Sequence, residues 1–164
     1  VDDGNITIDN NDITKLPEHK RAKFIGRVFQ DPMTGTAADM WIEENMAIAL
    51  RRGKSRGLGW AINEDDRKLY KSMLKRLDLG LEDRLDRPCQ RLSIGQQQRV
   101  AFVRLLAQPA DFILLDEPVS HLDIVNAELM GKMLRQRQME EGSAVIVTSI
   151  GHRLPYDYDR ILKL

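Results

Sequence analysis

The spacing of apolar residues divides the chain into strand-like flanks around a helical middle. Ile6-Thr7-Ile8 alternates like a half-exposed strand, and Asp9-Asn10-Asn11-Asp12 is a turn cluster. Leu16-Pro17-Glu18 suits one helical turn, with proline at a first helical position. Phe24 to Phe29, FIGRVF, predicts a short strand closed by Gln30-Asp31-Pro32. Met33 to Asn45 is a polar connection. A helix is predicted from Ile42 to Arg52, with Met46, Ala49 and Leu50 on its apolar face; its basic end complements the helix dipole. Asn63 or Glu64 opens the next helix, with Leu69, Met73, Leu74 and Leu77 on one side and Gly80 closing it.

The second half is stronger in pattern. Ser93 can cap a helix from Gly95 to Gln108, with Val100, Val103 and Ala107 inward and Pro109 as its stop. Phe112 to Leu115 is a continuous apolar run, as in a strand of a parallel sheet covered on both faces. Ile124 to Glu141 predicts a helix ended by Gly142, Ala144 to Thr148 a second buried strand, and Tyr156 to Leu164 an edge strand. Strand, helix and strand with short joints predict a doubly wound α/β sheet. Residues 1–32 and 106–164 form its core, and residues 33–105 read as a helical subdomain inserted into it.

Composition narrows the function classes. With 164 residues the chain has room for one domain with a real core. Lysine plus arginine equals aspartate plus glutamate at 25 each, so charge gives no reason to expect nucleic acid or an anionic membrane as partner. No apolar run approaches the roughly 18–20 residues of a membrane helix. The opening VDDGNITIDN is polar and acidic, unlike a signal or transit peptide, and its valine start leads us to expect a segment of something longer. The single cysteine, Cys89, has no partner for an internal disulfide and reads as structural.

Candidate chemistry concentrates between Arg91 and Asp123. Asp116 and Glu117 follow the apolar run in tandem, at the carboxyl edge of a sheet, where ligands of open α/β folds bind. Phosphoryl transfer needs a carboxylate to support magnesium and a group to orient the attacking water, and adjacent carboxylates can divide these tasks. LSIGQ at Leu92–Gln96 is a polar turn opening a helix, where unpaired N–H groups and the dipole suit an anion. Gly53-Lys54-Ser55 superficially suggests a phosphate loop. Ile48 stands where its first glycine belongs, and a helix precedes it instead of a strand, so that reading fails.

Gln30 after Val28-Phe29, LSIGQQQR, FILLDEP, SHLD and the later apolar strand, in this order and spacing, closely resemble the ATP-binding cassette (ABC) ATPases. The likeness covers nearly the whole chain. LSIGQ resembles the LSGGQ signature with Ile94 in place of the first glycine; FILLDEP resembles the Walker B motif, and Ser120 to Asp123 the D-loop. The resemblance implies a P-loop NTPase-like fold with ATP and Mg2+ as ligands. It implies that Gln30 touches magnesium and the attacking water, that Asp116 supports magnesium, and that Glu117 is the general base. Ser93, Gly95 and Gln96 would meet the γ-phosphate of ATP held by the opposite subunit of a head-to-tail dimer, and Asp123 would lie at that dimer contact. It further implies a transporter subunit that couples ATP hydrolysis to small-molecule transport. Such a subunit is cytoplasmic, peripheral on the inner face of the cell membrane, and bound to a membrane permease without nucleic acid.

Two departures qualify this. The family places a histidine directly after the threonine that ends the last buried strand. Here Ser149 follows Thr148 and the nearest histidine is His152: either His152 reaches in from a rearranged loop, Ser149 substitutes, or turnover is impaired. No GxxxxGK[ST] run occurs in the 164 residues. We therefore expect a cassette without its first strand and Walker A helix, inactive as an isolated chain, with the inner faces of the Walker B strand and its neighbours partly exposed. A non-transport cassette of repair or translation, or a non-enzymatic chain that pairs with a complete cassette, fits the same motifs.

Overall fold

The computed structural model describes residues 3–52, 54, 62–76 and 80–163. Leu77, Gly53 and Ser55, which figured in the sequence reading, lie outside the described residues, as does Leu164 at the end of the expected edge strand.

The chain opens with a small antiparallel hairpin, β1 (Thr7–Ile8) against β2 (Asn11–Asp12). Asp9 and Asn10 form its turn at φ 47° and 63°, left-handed values that match the twist of a two-residue hairpin. Half of the expected turn cluster is thus the return strand. One helical turn, α1 (Glu18–Arg21), follows Pro17, which stands just outside it as the extended cap residue.

Three parallel strands form the main sheet in the order β3 (Ile25–Val28), β4 (Phe112–Asp116) and β5 (Ala144–Thr148). Gly26 aligns with Ile113 and Val145, and Val28 with Leu115 and Val147. These residues share one face by the period-2 alternation of a strand. That face meets helices α4 (Ile94–Leu106) and α5 (Ile124–Glu141) through Val103, Leu105, Met130 and Leu134, all in one core cluster. Strands in sequential order joined by right-handed crossovers carry their connecting helices on the same side.

The opposite face departs from the doubly wound expectation: among the described residues no helix covers it. Phe112 and Leu114 are half-buried there, and Ile146 is 49 % exposed. β5 is accordingly half-buried, and on one side only, through Val145 and Val147, not buried throughout as its composition suggested. β4 is thus fully buried on its helix-covered face, through Ile113 and Leu115, and half-buried on the other.

The edge strand expected from Tyr156 onward does not form among the described residues. Leu154 is buried, Pro155 lies against Gly131 of α5, and the Tyr156 hydroxyl bonds Gln138. These contacts carry the chain over α5 and away from the sheet edge.

Between β3 and α4 lie helices α2 (Ile42–Leu50) and α3 (Glu64–Lys75). Asn63 caps α3 by accepting from the Asp66 N–H at 2.9 Å while Asp66 returns the bond to the Asn63 N–H, a reciprocal arrangement for which a lost cap costs about 1 kcal/mol. Tyr70 and Leu74 form its buried stripe, whereas Leu69 is 46 % exposed. The aromatic displaces the predicted leucine because positions 70 and 74 share one face. Arg52 ties this region to the core, donating to the carbonyls of Ala22 and Ile25 and to Gln108. Burial lowers its pKa.

Candidate functional site

The carboxyl edge of the sheet collects the strand-borne candidates. Asp116 ends β4 and pairs in register with Thr148, whose hydroxyl donates to Asp116 Oδ1 at 2.6 Å. Asp116 Oδ2 makes no hydrogen bond among the described residues. Glu117 comes next at φ 49°, a left-handed conformation uncommon for a residue with a β-carbon. Its side chain is buried, and Oε1 accepts the backbone N–H of Ile150. Gln30 lies at the same edge, two residues past Val28 as Glu117 lies two past Leu115, and is exposed.

The loop after β5 supplies Ile150 and not the histidine. His152 is exposed; its carbonyl accepts the Ser149 hydroxyl, and among the described residues the Glu117 carboxylate accepts from the Ile150 amide alone. The structure therefore does not bring the His152 ring to the carboxylates. The turn closed by Ser149 directs it outward.

The helix-borne candidates gather at the start of α4. Ser93 caps it, its hydroxyl accepting from the Gln96 N–H at 3.4 Å while the Gln96 side chain accepts from the Ser93 N–H at 3.1 Å. This capping box occupies both side chains and leaves the free N–H groups of the first turn facing outward. Ile94, 53 % exposed, projects beside them. Gly95 packs on the loop from Ser120 to Asp123, where an added β-carbon would meet the His121 carbonyl oxygen at 3.0 Å. Asp123 caps α5: Oδ1 accepts from the Asn126 N–H at 2.9 Å and Oδ2 from the Asn126 amide at 2.7 Å. Those bonds hold its carboxyl below the usual range, the backbone contribution being larger and desolvation a lesser, opposing effect.

One residue absent from the sequence reading joins the two groups. Gln98 is fully buried, and its amide donates to the Glu117 carbonyl at 2.9 Å and to the Ser120 hydroxyl at 3.5 Å. Its signal was legible: Gln98, Phe102 and Leu105 occupy i, i+4 and i+7 on the inward stripe, and a glutamine there needs a polar partner. Arg104, further along α4, donates to the Gly35 carbonyl, to Thr36 Oγ1 at 2.9 Å and to the Asn45 carbonyl at 3.3 Å. It fastens the segment after Gln30 to the same helix, and burial lowers its pKa. Asn45, fully buried, pins that segment with bonds to Ala37, Met40 and Trp41.

A strand ending in two carboxylates, joined through a buried glutamine to a capped, anion-suited helix start, is an arrangement for phosphate chemistry. A family model described as "ABC transporter" matches residues 1–120. The chain belongs to the ABC transporter family. It is 33 % identical over 98 % of its length to a tyrosine transport ATP-binding protein of Clostridioides difficile. It is 34 % identical over 88 % of its length to the lipoprotein-releasing system ATP-binding protein LolD 1 of Caulobacter vibrioides. The phosphate import ATP-binding protein PstB of Saccharolobus solfataricus is 33 % identical over 90 % of the chain. The chain spans 64, 59 and 54 % of the lengths of these three relatives.

A solved ATP-binding cassette in a dimeric, post-hydrolysis state bound to ADP and Pi superposes with a TM-score of 0.72 at 32 % identity. The match covers 89 % of this chain and 62 % of that one. The P-loop NTPase-like fold of the ABC cassette, with its parallel sheet and flanking helices, is thereby established for this chain. β4 ends in the FILLDEP run that resembles the Walker B motif, and α4 begins in the LSIGQ run that resembles the signature.

The residues fit the family's ligands in part. Asp116 and Gln30 offer oxygen donors of the kind magnesium prefers. Among the described residues, however, no group of three or more His, Cys, Asp and Glu side chains is placed to hold a metal ion. No helix among them is long and apolar enough to cross a membrane.

Proposed function

We propose that this chain is the ATP-handling part of an ABC transporter subunit, coupling hydrolysis to small-molecule transport from the cytoplasmic face of the membrane. The observation that carries the reading is the Walker B end, Asp116 and Glu117, tied to the signature helix through Gln98 in a chain of this family. Residues 33–105 serve as the helical subdomain. A membrane permease and a second nucleotide-binding subunit, arranged head to tail, complete the machine. Magnesium, when bound, neutralises phosphate charge and aligns the terminal phosphate.

In this reading Asp116 supports the magnesium shell with Oδ2 while Thr148 fixes Oδ1. Gln30 reaches the same shell and the attacking water from the neighbouring strand. Glu117 takes the proton from that water, after its carboxylate is released from the Ile150 amide. His152 contributes only if the turn closed by Ser149 opens, so its catalytic role requires a rearranged loop. Ser93, Gly95 and Gln96 receive the γ-phosphate held by the opposite subunit, against backbone N–H groups at the helix start. Asp123 keeps the D-loop at the dimer contact by capping α5.

No GxxxxGK[ST] phosphate loop lies within these 164 residues. Mixing the chain with a complete cassette tests the reading: ATP and magnesium should promote association, measured by analytical ultracentrifugation. Association indifferent to ATP sinks it. The chain alone should show no cassette-like turnover, and magnesium-dependent hydrolysis by the purified 164 residues would overturn that expectation.

A further inference from the structure

Helix α4 reaches the turn after β4 through the side chain of Gln98. Gln98 is fully buried, its amide nitrogen donates to the Glu117 carbonyl at 2.9 Å, and its Oε1 has no partner among the described residues. A buried amide with one end unpaired is retained at a cost, which the other end must offset. The Glu117 carbonyl is also approached by the Ser120 N–H at 3.3 Å and the Ser120 hydroxyl at 3.1 Å. Among the described residues the donor from outside the turn is Gln98. Glu117 itself stands at φ 49°, a conformation that persists only where surrounding contacts determine it. The carbonyl and Cβ of Glu117 sit on the same Cα, so rotation about its N–Cα bond swings both together, and a donor that holds the carbonyl restrains where the carboxylate points.

We infer that Gln98 is the positioning residue for Glu117. It holds the carboxylate toward the loop after β5 and makes the signature-helix start and the general base move as one unit. Gly95, one turn earlier on the same face, presses on the His121 carbonyl, so α4 grips the 117–121 turn at both ends. Under the head-to-tail arrangement, the start of α4 senses nucleotide in one composite site while Glu117 serves the other. Gln98 then carries displacement between the two sites inside a single chain.

The inference rests on Glu117 being the general base, but its test reads the carboxylate's surroundings without nucleotide. Its failure would therefore leave the hydrolysis reading standing. The full chain, labelled with 15N, is compared with Gln98→Met and Gln98→Leu, which keep length or bulk but lack the donor. Val100→Ala serves as a control that weakens the same helix without touching Glu117. The Ile150 amide, bonded to the Glu117 carboxylate, is the reporter. In both Gln98 variants its proton resonance should move upfield and its solvent exchange quicken by on the order of tenfold. Val100→Ala should lower the unfolding midpoint and leave the Ile150 shift unchanged. An unmoved Ile150 signal in the Gln98 variants overturns the inference. So does an equal change in Val100→Ala, or loss of the whole dispersed spectrum in both Gln98 variants, since the contact would then support the fold and not one carboxylate.

Discussion

Gly95 and the carbonyl of His121 are in such close approach that a β-carbon on residue 95 would lie 3.0 Å from the oxygen. The obstacle is backbone, which cannot rotate aside as a side chain can. Gly95→Ala should therefore lower stability by roughly 1 kcal/mol, an overpacking cost of about 1–3 kcal/mol partly offset by alanine's helix preference. The neighbouring Ile94, 53 % exposed, has no such constraint, and Ile94→Gly should change stability by less than about 1 kcal/mol. Urea unfolding of the two variants checks the pair; a more stable Gly95→Ala would show that the helix and D-loop are not in contact.

Gly131 is a more severe case in the middle of α5. A β-carbon there would fall 2.0 Å from the Pro155 carbonyl oxygen, so the segment after β5 must move if the glycine is replaced. Gly131→Ala should detach residues around Leu154 and break the Tyr156–Gln138 bond, costing about 3 kcal/mol at the upper end of overpacking effects. Limited trypsin digestion reads this directly through faster cleavage after Arg153. Unchanged cleavage together with unchanged stability would mean that the segment does not rest on α5.

The contrast between these glycines and the motifs explains what the sequence could reveal. Ser93, Asp123 and Gly142 act through neighbours three or four residues away, so helices α4 and α5 were legible in the pattern. Asp116 and Glu117 were legible because a strand end fixes their place at the sheet edge. Tertiary packing decided the rest. The terminal RILKL pattern reads as a strand, but Pro155 and Tyr156 take the chain onto α5. The β5 composition reads as fully buried, yet Ile146 on its second face is 49 % exposed, because whether a layer covers that face is not written in β5 itself. Gln98 was visible only as a polar residue on an apolar stripe, and its partner Glu117 lies nineteen residues later.

Cys89 is fully buried beside Asn45, whose amide donates to its sulfur at 3.3 Å. Burial pushes its thiol pKa up to about 11, against a smaller opposing effect of Arg104. Because the thiolate is the reactive form, the native chain should react with a disulfide reagent at pH 8 far more slowly than the unfolded chain. Stopped-flow thiol titration with and without denaturant checks this. Reaction of the native protein at the rate of a free thiol would place Cys89 at the surface.

Asp123 gives the chain a pH dependence whose sign follows from its bonds. Asn126 donates to both carboxylate oxygens, which lowers the folded-state pKa below the unfolded value of about 3.9. A depressed carboxylate pKa means that the unfolded chain binds the proton more readily, so stability from this group is fully present above pH 4. It is lost as pH falls through the folded-state pKa. Asp123→Ala should therefore lower the urea midpoint at neutral pH, and the gap from the parent chain should narrow below pH 4. Asp123→Asn keeps an acceptor for the Asn126 N–H and should recover part of the neutral-pH loss, since a neutral cap still satisfies that donor without the charge-assisted strength. A gap that stays constant from pH 7 to pH 3 would mean that the carboxylate, as distinct from the cap, contributes nothing at the D-loop.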